Sequence, residues 1–511
     1  MYLLGIDLGT SAVKAILTAP DGRVAGIGGI EYAISRPQPD RAEQSPDDWW
    51  TATAGAVRLA MDQVGGPSQA VLAIGLSGQM HGTVLLDRTH HLLHQAIIWP
   101  DRRSTEQVKE IGRRVGKERL IQISGSPAAT GFQAATLLWL QQEMPKLWRK
   151  TQLILTPKDY LRWRLTGEIS SEPSDGSGTL LLDVQKRDWS AELMDMLSIK
   201  REQLPPIFPS STVSGLLSRP AAEALGLRPG IPVVAGAADT ACSLLGAGVT
   251  GNKTLLITIS SGGQIILPSN EVKLDLQGRL HTFCSAIEPQ AGRAAWYQMA
   301  AILSAGMSLR WLRDQLFCLP SEGAYERMIS WAEEAHPGAN GLLFLPYLAG
   351  ERTPHMDPYA RGMFLGLTAG HGRDQMVRAV MEGVGLACFD AYSVLAELGA
   401  RPEQIIMAGG GARSELWRQI VADIFDLPVQ PLLVNEQSAV GACLLAGGGI
   451  GAFYPFEVAQ SWAVYGSAVE PQPNHTTRYR QLLAIFRSAY RKHIDDFQEL
   501  SKLEQTAVNS S

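Results

Sequence analysis

Short apolar, β-branched runs alternate along the chain with stretches whose apolar positions recur every three to four residues, the pattern of an α/β protein. The runs predict strands at Tyr2–Leu8, Ala70–Leu76, Val233–Ala235, Thr254–Ile259, Gly341–Pro346 and Gln404–Met407. The periodic stretches predict helices at Asp47–Gln63, Gln375–Leu398 and Ser414–Phe425. Near the end, Tyr479, Leu482, Phe486, Tyr490 and Phe497 share one helical face, and a polar, mobile tail is expected from about Ser501.

One pattern occurs twice. Tyr2–Leu8 runs through Gly9-Thr10-Ser11 into a second apolar segment, Ala12–Leu17. Thr254–Ile259 runs through Ser260-Ser261-Gly262-Gly263 into Gln264–Leu267. Each is a strand, a tight turn of hydroxyls and glycines, and a strand. Because 511 residues exceed what one core normally organises, the repeat predicts a duplicated domain with its boundary near Gly246–Asn252. The expected division is 1–246, 247–450, and a C-terminal helix with tail over 451–511.

Composition narrows the partners. With 45% hydrophobic residues, 19% charged residues and a net charge of −5, neither nucleic acid nor an anionic membrane is an expected partner, and small molecules are. Cys242, Cys284, Cys318, Cys388 and Cys443 are odd in number and widely spaced, and are read as buried thiols in a reducing compartment. Tyr2–Leu8 begins as a strand rather than a signal peptide, so a cytoplasmic location is expected. The longest uncharged run, Ser438–Phe456, is broken by glycines and Pro455 and is read as a core helix plus a loop, not a membrane span. A homodimer is left open.

The candidate chemistry sits at strand ends. Gly246-Ala247-Gly248-Val249-Thr250-Gly251 fits G-x-G-x-x-G, but a helix precedes it and a strand comes after it, the reverse of a dinucleotide fingerprint. No Walker-type G-x-x-x-x-G-K-[ST] occurs. Gly9-Thr10-Ser11 alone reads as a plain turn; together with the second turn and Gly409-Gly410-Gly411 it points to phosphate held by backbone N–H groups and a flat ligand lying on glycine. Asp239, after Val233–Ala235, is either the cap of a helix Thr240–Leu245 or a carboxylate placed to accept a proton. His81 in Gln79-Met80-His81-Gly82 is either structural or orients a polar substrate.

These segments resemble the carbohydrate kinases named for a Phe-Gly-Gly-Tyr motif, over nearly the whole chain, and within that family the bacterial branch acting on xylulose. GIDLGTSAVK at 5–14 is similar to the first phosphate loop, GLSGQMHG at 75–82 to the sugar loop, and AGAADTA at 235–241 to the segment bearing the catalytic aspartate. LPYLAGERTPHMDPYARGMFLGL at 345–367 is similar to a stretch specific to that branch, and GGGARSELWRQIVADI at 409–424 to an adenosine-binding turn and helix. The C-terminal family signature is matched from Gly362, Phe364, Gly366 and Leu367 to Gln375, Met376, Ala379, Val380, Met381 and Glu382.

The resemblance implies an actin-like ATPase fold of two ribonuclease H-like domains around a cleft, with ATP and Mg²⁺ as cofactors and a sugar as acceptor. It implies Asp239 as general base and Asp7 on the phosphate side, both facing the metal. Thr10, Ser11, Ser260, Ser261, Gly262, Gly306, Gly410 and Gly411 would approach the nucleotide. Met80, His81, Trp99, Asp101, Arg103 and Thr240 would line the sugar pocket. Thr240 stands where the branch usually has asparagine, Pro100 where asparagine follows the tryptophan, Thr136 where a lysine is usual, and Ser260-Ser261-Gly262-Gly263 replaces Gly-Thr-Ser-Gly. The expected reaction is transfer of the γ-phosphoryl of ATP to the terminal hydroxyl of a ketopentose, D-xylulose first. Ribulose, gluconate and glycerol are the alternative acceptors, and a non-catalytic ATP-binding regulator is the alternative of another class.

Overall fold

The computed structural model of the chain describes residues 1–65, 70–434 and 436–509. It forms two compact units, each assembled from separate stretches: Met1–Gly251, Pro268–Tyr297 and Glu436–Val464 make the first, and Asn252–Leu267, Gln298–Asn435 and Tyr465–Ser511 the second.

The sheet of the first unit runs Val24–Glu31, Ala12–Thr18, Tyr2–Leu8, Val71–Gly78, Pro232–Val234, Val213–Leu216. Its first three strands are antiparallel, while Val71–Gly78 lies parallel to Tyr2–Leu8 and Pro232–Val234 parallel to Val71–Gly78. Alternation decides which face each residue takes. Leu4, Ile6 and Leu8 join Trp49, Ala52 and Ala56 of helix Pro46–Val64 in one buried core, so Gly5 points the opposite way. Against that opposite face packs helix Gln437–Gly449, so closely that a Cβ on Gly5 would lie 2.1 Å from Ala439 O and one on Gly75 1.9 Å from Ala442 O. The small residues in Ser438–Phe456 are therefore what lets a helix backbone lie on a sheet backbone. The expectation of a core helix and loop there holds.

In the second unit the order is Trp296–Ile302, Gly263–Ser269, Thr254–Ile259, Gln404–Ala408, Val429–Pro431. Thr254–Ile259 is antiparallel to Gly263–Ser269 and parallel to Gln404–Ala408, which is parallel to Val429–Pro431. Numbered in chain order with the edge strands Val213–Leu216 and His281–Cys284 left out, both sheets have the order 3-2-1-4-5, and the duplicated hairpins are the same corner of the same topology. Among the described residues one helix, Arg373–Glu397, is long and apolar enough to cross a membrane, but 78% of its most apolar window is buried in protein.

The structure departs from expectation at three places. Helix Pro473–Lys492 leads into a second, Ile494–Asn509, so the segment from about Ser501 continues a helix instead of forming a loose tail. Cys318 is exposed at a turn with φ of 49°, unlike the four buried cysteines. The helix after Val233–Ala235 begins one residue early, at Asp239, with Ala238 in the cap position, so Asp239 is not its N-cap.

Candidate active site

Sheet register positions the two carboxylates of the first unit. Asp7 pairs with Ser77 on the neighbouring parallel strand, and Ser77 pairs in turn with Ala237, two residues before Asp239. Both aspartates therefore stand at the carboxyl ends of parallel strands on either side of Val71–Gly78, where open α/β sheets bind ligands. Ser77 Oγ donates to Asp7 Oδ1 at 2.7 Å. Thr240 donates its backbone N–H (2.6 Å) and its hydroxyl (3.1 Å) to Asp239 Oδ1. Desolvation raises the pKa of Asp7; Ser77 and Lys14 oppose the rise and Glu436 adds to it. Burial and then the negative charge of Asp7 push Asp239 up to about 7, against the opposing bonds from Thr240. The result is a carboxylate poised near neutrality, the range in which a general base works best.

The first phosphate-loop candidate is held from beneath. Gly9 donates its N–H to Ala12 O and accepts at its carbonyl from the Tyr32 hydroxyl. Thr10 accepts at its carbonyl from Gln44 Nε2 at 2.7 Å and at its hydroxyl from Trp99 Nε1 at 2.9 Å. Gln44 Oε1 accepts from both Trp49 Nε1 and Gln79 Nε2. Ser11 is exposed. Sequence reasoning overlooks Ser77, Gln44 and Tyr32. Ser77 lies inside the sugar-loop segment and is the one within its reach; the other two are brought in only by tertiary folding.

The expected sugar-side residues divide into two groups. His81 takes a left-handed backbone conformation (φ 71°), which turns its ring onto Phe132 with centroids 4.0 Å apart and sets Nδ1 2.6 Å from Gly178 O. Met80 is buried, with its sulfur 3.9 Å from the Tyr297 hydroxyl. Phe283, 6.1 Å from His81 between ring centroids, extends this aromatic wall. Asp101 and Arg103 belong to a buried network: Asp101 accepts from Ala42 N and from Arg103, whose guanidinium also reaches Glu43 Oε1 at 2.6 Å and lies over the Trp139 ring. Thr240 is buried, and Thr136 is buried on helix Gln133–Glu143.

The second unit contains a pocket of about 580 Å³, well within the range of small-molecule sites. Five residues singled out from the sequence line it together: Ser260, Ser261, Gly306, Gly410 and Gly411. Gly262 lies in the same turn but is not among the lining residues, and its carbonyl accepts from Ser260 N. The carbonyls of Ser260 and Ser261 accept from the N–H groups of Gly306, Ala305 and Met307, which fastens the turn to helix Gly306–Trp311. Gly409 (φ 81°) packs tightly on Ile259, whereas a Cβ at Gly410 would meet nothing within 4 Å and would project into free space. The pocket also has Tyr325, Ile329 and Trp417 as apolar wall and Arg310 and Arg413 as exposed cations; Arg310 Nη2 donates to Ser261 Oγ at 3.2 Å. Arg413 and Trp417 belong to the segment 409–424 already singled out, whereas Arg310, Tyr325 and Ile329 are marked by no local motif.

Residues 2–246 match the FGGY family of carbohydrate kinases, N-terminal domain, and residues 262–449 its C-terminal domain. The chain is 40% identical over 424 residues to the xylulose kinase of Escherichia coli K12, covering 83% of this chain and 84% of that protein. It is 34% identical to the xylulose kinase of Bacillus subtilis 168 over 96% of each. The crystal structure of xylulose kinase from Rhodospirillum rubrum superposes with a TM-score of 0.90 at 28% identity, over 98% of this chain and all of that one. Gluconate kinase from Lactobacillus acidophilus gives 0.91 at 25% identity, over 98% and 99%. The fold is thus of the actin-like ATPase class, with the hairpin repeat as its internal duplication. On these matches, and with matching strand order in its two units, the chain belongs to the FGGY family of carbohydrate kinases.

Proposed function

We propose that this kinase phosphorylates the terminal hydroxyl of D-xylulose, with Asp239 as general base. The assignment of the base is carried by the place of Asp239, directly after a strand parallel to Val71–Gly78, where burial and the charge of Asp7 push its pKa up to about 7. Such a carboxylate is about half ionised at neutral pH and basic enough to accept a hydroxyl proton. The names of the E. coli and B. subtilis relatives support the choice of sugar.

The nucleotide is assigned to the pocket lined by Ser260, Ser261, Gly306, Gly410 and Gly411, with the base against Tyr325, Ile329 and Trp417 and the phosphates toward Arg310. Thr10 and Ser11 are assigned to phosphate oxygens. Met80, His81, Trp99 and Thr240 are assigned to the sugar. Asp101 and Arg103, whose polar atoms are tied to one another, to Glu43 and to Ala42, would shape that pocket by fixing the segment around Trp99.

The residues at Asp7 fit a divalent cation. Two carboxylates, each raised by burial and Asp239 further by the charge of Asp7, are left undercompensated. Among the described residues no cluster of three or more metal-ligating side chains exists. Mg²⁺ keeps waters and substrate phosphates and needs only one or two protein carboxylates, such as Asp7 and Asp239. When bound, the ion would neutralise charge on the phosphates; Asp7 and Asp239 would hold it, and Asp239 would accept the proton.

ADP release measured over D-xylulose, ribulose, gluconate and glycerol tests the proposal. The highest kcat/KM is expected for D-xylulose. A higher value for another acceptor reassigns the sugar, and nucleotide binding without turnover of any of them turns the chain into a regulator of the same fold.

A further inference from the structure

A buried carboxyl group outside both sets of site residues touches the nucleotide pocket through the backbone. Glu351 is 3% exposed. Its Oε1 accepts from Leu303 N at 2.9 Å and from Arg352 N at 2.7 Å, while Oε2, also buried, has no partner among the described residues. Around it, residues 351–353 run beside 301–303: Thr353 N donates to Ala301 O at 3.1 Å and Ala301 N to Thr353 Oγ1 at 3.3 Å. A bridge from Glu351 N to Asp357 O and from Asp357 N to Glu351 O, both 2.8 Å, closes the loop carrying the carboxyl.

The segment immediately after Leu303 gives this arrangement its consequence. Ala305, Gly306 and Met307 donate their N–H groups to the carbonyls of Ser260 and Ser261, and Gly306 lies so near that a Cβ there would be 2.4 Å from Ser260 O. A displacement of Leu303 is therefore passed to Gly306 and from it to the Ser260–Ser261 turn, two walls of one pocket. Glu351 itself does not line that pocket.

We propose that Glu351 is a positioning residue for nucleotide binding: by anchoring Leu303 it fixes the approach of Gly306 to the Ser260–Ser261 turn. The proposal rests on the assignment of that pocket to ATP. Burial pushes the carboxyl up to about 8, the two backbone donors offsetting part of the rise, so at neutral pH it is largely uncharged. An amide oxygen is then an adequate substitute for Oε1.

The test compares Glu351→Gln, Glu351→Asp and Glu351→Ala in the full chain, reading the Kd of ATP by calorimetry and the KM values of ATP and sugar separately. Glu351→Gln keeps an acceptor at the same reach and should hold the Kd of ATP within about twofold. Glu351→Asp withdraws the acceptor by one methylene while staying polar, and it and Glu351→Ala should weaken ATP binding by about tenfold or more with the KM of sugar nearly unchanged. Equal weakening of ATP and sugar, or a folded Glu351→Asp protein with wild-type ATP affinity, overturns the proposal. If the wild type binds no ATP at all, the pocket assignment itself has failed, an outcome distinct from either.

Discussion

Trp99 Nε1 donates to the Thr10 hydroxyl at 2.9 Å, which joins a side chain assigned to the sugar with one assigned to a phosphate oxygen. Trp99 is 43% exposed, so the bond is reachable by solvent and modest in strength. Its loss in Trp99→Phe and in Thr10→Val should each cost several-fold in kcat/KM. The double variant should cost less than the sum, with a coupling of about 0.5–1.5 kcal/mol. Zero coupling in the double-mutant cycle would show that the two residues act separately.

Asp239→Asn should lower kcat by roughly 10² to 10⁴ while binding of sugar and of ATP survives. In the wild type, kcat/KM should rise with pH through about 7 as Asp239 ionises. The folding consequence has the opposite sign. Because the native pKa lies above that of the unfolded chain, the native state binds more protons between about 4 and 7, and stability contributed by this group falls as pH rises through that window. Asp239→Asn should consequently gain Tm relative to wild type at pH 8 but not at pH 4; equal differences at both would place the charge of Asp239 outside the fold's electrostatics.

Asp7→Asn should reduce turnover with sugar affinity preserved. It should also move the acid limb of the residual activity to lower pH, since the charge of Asp7 is one of the causes holding Asp239 high. A pH profile of residual turnover that keeps its limb near 7 would leave desolvation as the whole cause.

Lys158 is fully buried and lies 2.7 Å from Asp159, 3.6 Å from Glu172 and 3.7 Å from Asp175. Burial pushes the Asp175 carboxyl up against the pull of Lys158. Lys158→Met removes the cation and leaves the carboxyls behind, so urea unfolding should show a loss of about 3–5 kcal/mol. Asp175→Asn in the same chain should recover part of it; a loss below about 1 kcal/mol would mean that the remaining charges repair themselves through Arg162.

Much of this arrangement is legible in the residue order. Alternating apolar positions and turns of glycine and hydroxyl residues are local features, and they suffice to find both hairpins, the strand carrying Asp7 and four residues of one pocket, Ser260, Ser261, Gly410 and Gly411; Gly306 comes only from the family resemblance. Other parts arise from packing at long sequence separation. Tyr325 and Ile329 reach the pocket from a helix whose pattern specifies only a buried face. Asp101 and Arg103, two apart, look like paired binding groups, and only the fold supplies Glu43 and Ala42 to occupy them. Asp239 stands one position further into its helix than a cap would, because its side chain bonds to the very next N–H, and a helix cap and a first-turn aspartate look alike in sequence.

The glycine-floored face at Gly5 and Gly75 has a consequence for synthesis. Its cover, Gln437–Gly449, is translated long after Gly251, so the first unit stays open on one side until the intervening stretch has been made. A product terminated after Gly251 would present bare strand backbone where a helix belongs. For this chain, the first unit cannot close until most of the second has been made.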